Sequence, residues 1–168
     1  MLRKPRPEDA DDVLEYVRDP DVMRWIGGEP GDLAAAVAVV ERWLGQWEQN
    51  GVGPFAVEHD GCFVGRVGFL IWDAHDSRVS SYAAATRPIT ELGWTFAQRH
   101  WGHGYATEAA RAARAWGYER GIESLISLIH PNNVRSARVA EKLGAAPAET
   151  VDVGGSPAVI WRHPAQLS

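Results

Sequence analysis

Hydrophobic positions first recur with a helical period after Pro7. Ala10, Val13, Leu14 and Val17 fall at i, i+3, i+4 and i+7, one face of a helix that Asp19-Pro20 brings to an end. A second helix is expected from Asp32, a good N-cap, with Leu33, Val37, Val40, Leu44 and Trp47 as its apolar stripe. Between the two, Trp25-Ile26-Gly27-Gly28-Glu29-Pro30 reads as a loop. The period then shortens to two. Phe55 and Val57 alternate with small or polar residues, and Asp60-Gly61 is a hairpin signal. The return strand runs from Cys62 to Trp72, with Gly65 and Gly68 as weak points or bulges. Residues 73–88 read as a long polar loop, and Thr90–Phe96 as a further strand. Ser124–Ile129 is a short apolar run bounded by turns, the pattern of a buried strand. Two more strands, Thr150–Val153 and Ala158–Trp161, hinge on Gly154-Gly155. Helices are predicted over Ala106–Arg120, closed by Gly121, and over Asn133–Leu143, closed by Gly144. The order is helix, helix, two hairpin strands, strand, helix, strand, helix, two strands. It predicts the α/β class, a mixed sheet covered by four helices.

Composition narrows the class of protein. A chain of 168 residues has the length of one domain, taken here as residues 1–168, and no repeat or linker divides it. A fold of this size hides roughly 70% of the surface its unfolded chain exposes, so it needs no disulfide or metal to build a core. The single cysteine, Cys62, permits no intramolecular disulfide, and no metal-ligand spacing occurs, so no metal is expected. Seventeen basic against 22 acidic residues give a net charge of −5, which argues against general nucleic-acid binding. The chain has no apolar run long enough to span a membrane. Its charged start lacks an apolar signal core, so a cytoplasmic setting is the expectation.

The chemistry concentrates in Trp101-Gly102-His103-Gly104-Tyr105-Ala106-Thr107-Glu108, which follows a strand and opens a helix. Glycines at 102 and 104 and the small Ala106 allow a tight turn and close backbone approach to a ligand. The first amides of a helix have no intrahelical acceptor, and the helix dipole adds partial positive charge there. A diphosphate suits such a site, and Thr107 adds a hydroxyl. The alternative is a plain strand–helix turn. No Walker motif is present, and Thr107 stands where a dinucleotide fingerprint needs glycine.

The segment Glu91-Leu92-Gly93-Trp94 with Trp101 to Ala109 resembles the acetyl-CoA-binding core of the GNAT acetyltransferases. Asn133-x-x-Ser136 followed by Glu141-Lys142-Leu143-Gly144, and the opening Asp21-Val22-Met23-Arg24-Trp25, resemble the subgroup that acetylates ribosomal-protein N-termini. The resemblance implies the GNAT fold, its sheet split near residues 96 and 130 to admit acetyl-CoA. It implies that the amides of Gly102, Gly104, Ala106 and Thr107 hold the diphosphate, with His103 beside them. The backbone of Trp94 and Phe96 would run along the pantetheine arm, the Phe96 amide polarising the thioester carbonyl. Trp101 departs from the family's glutamine or arginine at that position, so no side-chain contact with phosphate is carried over to it.

The implied activity is acetyl transfer to a primary amine, a protein N-terminus or a small molecule, by direct attack in a ternary complex. A lysine amine has a pKa of about 10.4 and an α-amine about 7.9, so an α-amine needs less help from a base. Glu91 is the candidate base, or else a structural carboxylate. Asn133 is a helix N-cap, to which the resemblance adds contact with the cofactor. Ser136 is the candidate acid near the sulfur. Ala140 stands where many relatives carry a tyrosine acid, so that mechanism does not transfer. The resemblance places Trp25 and Trp72 near the acceptor groove, where the loop acids Glu29, Asp73 and Asp76 could favour a cationic acceptor. Arg111, Arg135, Arg138 and Lys142 could attract the cofactor's outer phosphates or be solvated helix faces. Cys62, His100 and His130 read as structural or solvated. A homodimer is plausible on the resemblance. The competing function is a non-catalytic acyl-CoA sensor on the same fold.

Overall fold

The computed structural model describes residues 1–26 and 28–165. A short strand β1 (Leu2–Arg3) leads into helix α1 (Ala10–Val17), whose Val13, Tyr16 and Val17 are buried as its period requires. Asp19 then accepts a hydrogen bond from the Asp21 amide at 2.8 Å and starts a four-residue helix α2 (Pro20–Met23). Among the described residues this extra turn brings the α-helices to five rather than the expected four. Helix α3 (Leu33–Asn50) begins where Asp32 accepts from the Ala35 amide at 3.1 Å.

The buried face of α3 keeps Val40 and Trp47 of the expected stripe, with Leu44 half-buried, but not its first turn. Ala36, Val40, Trp43 and Trp47 are buried, whereas Leu33 and Val37 are exposed. The two tryptophans, one turn apart, carry more apolar area than any other pair on the helix and set its rotation. Gln46 supports that rotation: its amide donates to the Ser80 carbonyl and accepts from the Ile71 amide.

The sheet follows with β2 (Pro54–His59), β3 (Cys62–Asp73), β4 (Arg78–Ser80) and β5 (Pro88–Phe96). Next come helix α4 (Tyr105–Tyr118), β6 (Ile126–Ile129), helix α5 (Val134–Lys142), β7 (Ala146–Val153) and β8 (Ser156–Arg162). The strand order is β1-β2-β3-β5-β6-β8-β7, with β4 paired to β3 outside that path. All pairs are antiparallel except β5–β6. Strand β4 falls inside the predicted polar loop, which Asp73 organises. Its carboxylate accepts from the Thr86, Arg87 and His75 amides, and these bonds, Thr86 first, lower its pKa to about 2.

Strand alternation sorts the two faces. Val67, Phe69, Ile71 and Leu92 pack beneath Ala109, Ala110 and Ala113 of α4. Ala56 and Phe63 face the other way, against α1 and α3. Strands β5 and β6 share a single parallel register pair, Glu91 with Ile126, and then diverge. The parting therefore begins at residues 91 and 126, deeper in the sheet than the expected 96 and 130. At its apex the Ser127 hydroxyl donates to the Leu92 carbonyl at 2.6 Å and lies 2.9 Å from His163 Nε2. Among the described residues no helix is long and apolar enough to cross a membrane.

Candidate active site

A cleft of about 800 Å³ passes through this fork. On the α4 side it meets the turn after β5. Gly102 (φ +83°) and Gly104 (φ +86°) both hold left-handed backbone, which side chains disfavour, and Gly104 is the N-cap of α4. Among the described residues, no amide from Gly102 to Thr107 donates to a protein acceptor. The first amide of the helix to do so is that of Glu108, to the Gly104 carbonyl at 3.1 Å. Beyond their chain neighbours nothing lies within 4 Å of a Cβ placed on either glycine, and both glycines line the cleft. The donors and the helix dipole together fit a diphosphate. Arg135, Arg138 and Lys142 add positive charge to the wall, while Arg111 is exposed outside it.

Trp101 has a different task from the residue it replaces. Its Nε1 donates to the Phe96 carbonyl at 2.8 Å, and the Arg135 guanidinium lies 4.5 Å over its ring. The indole thus ties the turn to the end of β5. The Phe96 carbonyl faces the fork, as does that of Leu92, which Ser127 meets. By strand parity the main-chain groups of Trp94 face it as well. Since β6 has diverged there, those groups have no strand partner on that side and could pair with an extended amide chain. Asn133 Oδ1 accepts from the Ser136 amide at 3.2 Å, the N-cap geometry, and both residues line the cleft. The Ser136 hydroxyl makes no hydrogen bond within the described residues.

The α1–α3 side holds the candidate base. Glu91 is buried, and Trp72 Nε1 donates to its Oε2. Burial raises its pKa, against the opposing pull of Arg66, the Trp72 indole and the Leu128 amide. A carboxylate poorly solvated in its charged form is a stronger proton acceptor than a surface one. Trp25 borders the same space, its ring 5.4 Å from that of His130. His130 is a fixed element, since its Nδ1 accepts from the Asn132 amide at 3.1 Å.

Other expected residues lie elsewhere. Glu29 is exposed and does not line the cleft. His103 is exposed and stacks on Tyr105 at 5.6 Å, away from the lining. Asp73 is taken up by its own loop, and Asp76 pairs with Arg78 at 3.0 Å. Cys62 is exposed. No group of metal-ligating side chains occurs among the described residues. The sequence reading passed over Arg66 and Thr95, which face Glu91's side of the sheet. The available signal was a cation at position 66 inside an otherwise apolar strand.

A cleft with bare main-chain donors at one end and a buried carboxyl group at the other suits a transferase whose donor carries a diphosphate. A family profile described as acetyltransferase (GNAT) domain matches residues 1–146, and the chain belongs to that family; acetyl-CoA is its acetyl donor. It is similar to YkkB, an uncharacterized protein of Bacillus subtilis, with 30% identity over 93% of this chain and 88% of that one. Its fold is similar to that of an acetyltransferase from Agrobacterium tumefaciens (TM-score 0.76, 26% identity, 97% of this chain and 89% of that one). An aminoglycoside acetyltransferase solved with coenzyme A shares the fold at TM-score 0.76 and 20% identity, over 99% of this chain and 94% of that one.

Proposed function

We propose that this chain moves the acetyl group of acetyl-CoA directly onto a primary amine held with it in one complex. The observation that carries the reading is the run of unpaired amides from Gly102 to Thr107, opening on the same cleft as buried Glu91. Bound acetyl-CoA would supply an activated acyl carbon whose oxygen gains negative charge as an amine attacks. The Phe96 amide is the donor for that oxygen, a contact typically worth about 3 kcal/mol in the transition state. Trp94 and Asn133 hold the extended arm.

In the transfer, a bond forms from the amine nitrogen to the acyl carbon and the carbon–sulfur bond breaks. Glu91 takes the proton the nitrogen sheds, directly or through water, and Ser136 supplies one to the departing sulfur. The two roles are separated by the sheet: Glu91 faces α1 and α3, where the acceptor arrives, and Ser136 sits on α5 beside the fork.

The test is thiol release from acetyl-CoA with and without a panel of amines, with mass analysis of the product. Acceptor-dependent release with acetylated amine supports the reading. Release that needs no amine, or cofactor binding with no transfer to any amine, overturns it.

A further inference from the structure

On the acceptor side, one feature of the cleft floor has no role in the chemistry above. Arg66 of β3 and Thr95 of β5 are register partners and share the face toward α1 and α3. Thr95 is 5% exposed and lines the cleft, yet its Oγ1 has no hydrogen-bond partner among the described residues. Arg66 Nη1 is likewise buried without a partner. A buried donor left unpaired is costly, and one that belongs to a charged group more so.

The seat of the guanidinium is built. It lies over Gly93, the next position on the same face of β5, where a Cβ would come within 2.8 Å of Nη1. Any side chain at 93 would push Arg66 off the floor. Glu91 follows two residues back but does not satisfy Arg66. It is near enough to feel the charge, while its Oε2 is engaged by Trp72. The floor therefore reads, from the fork inward along β5, as a free hydroxyl, a guanidinium with a free N–H, and a carboxyl group.

The rest of the lining gives the sign. Glu91 is the only acidic side chain among the described residues around the cleft, and Arg42 joins Arg66 on the acceptor side. Tyr16, Trp25, Trp43 and Trp72 supply aromatic walls. A polycationic acceptor finds one counter-charge there and two cations. An acceptor bearing a carboxylate finds a guanidinium and a hydroxyl that both lack an acceptor, the charge-assisted pairing arginine favours.

Resting on the acetyl-transfer reading, we infer that the acceptor is an amino-carboxylic acid with an apolar body. Its carboxylate is held by Arg66 and Thr95, its amine is turned toward Glu91 and its body lies on the aromatic walls. This names a substrate class, and Arg66 and Thr95 as its specificity determinants.

The experiment compares amino acids with their decarboxylated twins: phenylalanine with phenethylamine, tryptophan with tryptamine, leucine with isopentylamine. Thiol release gives kcat/KM, and titration calorimetry in the presence of coenzyme A gives acceptor affinity without turnover. The wild-type protein should favour the carboxylate member of at least one pair by about tenfold or more. Arg66→Gln should erase that preference, chiefly through KM, with coenzyme A affinity unchanged. Should that variant fail to fold, Thr95→Val removes one hydroxyl at nearly constant shape and should lower kcat/KM for the carboxylate member alone.

Decarboxylated amines used as well as their parents, or variants that depress both members equally, overturn the inference while leaving acetyl transfer standing. No binding of coenzyme A and no transfer to any member overturns the broader reading instead.

Discussion

Gly104→Val separates the cofactor grip from the stability of the fold. Gly104 has φ +86° and ψ −7°, left-handed backbone that costs an L-residue about 1–2 kcal/mol. Beyond its two chain neighbours no protein atom lies within 4 Å of a Cβ at this position, so the Cβ itself adds no contact cost. For a chain of this length the strain corresponds to a fall in Tm of about 2–8 °C. Binding should suffer far more. The valine branches would stand where a diphosphate must meet the amides of residues 104–107. Losing two hydrogen bonds to a charged group, at about 1.5–3 kcal/mol each, weakens affinity by about a hundredfold or more.

The assay is titration calorimetry with coenzyme A alongside thermal unfolding. Gly121→Val is the matched control: φ is +81°, again nothing lies within 4 Å, and the residue sits at the far end of α4. It should show the same strain and unchanged affinity. A Gly104→Val protein that binds coenzyme A within about threefold of wild type, or a control that loses as much, would refute main-chain recognition of the diphosphate.

Glu91→Gln should lower kcat by about 10²–10⁴ and leave coenzyme A affinity intact. In the wild-type protein kcat/KM should rise with pH as Glu91 ionises, through a value above the ordinary carboxylate range because burial raises it. A variant that keeps this limb of the profile removes Glu91 as the base. Ser136→Ala should reduce turnover more than coenzyme A affinity; unchanged turnover dismisses it as the acid. Burial, aided by Arg114, lowers the His163 pKa to about 4. Its neutral form thus stabilises the fold fully above about pH 6.5, and that contribution fades as pH falls toward 4. Unfolding free energy should drop by about 2 kcal/mol between pH 7 and 5 on this account. His163→Asn should flatten that slope in chemical denaturation; an unaltered slope assigns it to other groups.

Local signals gave the elements with clear periods or caps. Helix α1, the Asp60-Gly61 hairpin and the helices closed by Gly121 and Gly144 all lie where their residues predict. Strands β1 and β4 escaped notice because two- and three-residue strands carry no period, and their pairing depends on distant partners. In α3 the spacing identifies Val40 and Trp47 but also picks out Leu33 and Val37, which are exposed, because the weight of Trp43 and Trp47 decides which side turns inward. In the site, the turn from Gly102 to Thr107 was visible because glycine spacing and a helix start are local features. The burial of Glu91, the indole bond of Trp101 and the seat of Arg66 over Gly93 depend on which strands lie side by side, and no spacing along the chain encodes that.

The single rung between Glu91 and Ile126 also bears on how a long ligand gets in and out. Beside it, the Ser127 hydroxyl on the Leu92 carbonyl and the Leu128 amide toward Glu91 bridge the two leaves of the sheet at this seam. Widening the groove for a bulky thioester needs a small rotation about that spine, with every other strand ladder kept whole. The groove's width is thus set by a joint between strands rather than by the loops around it.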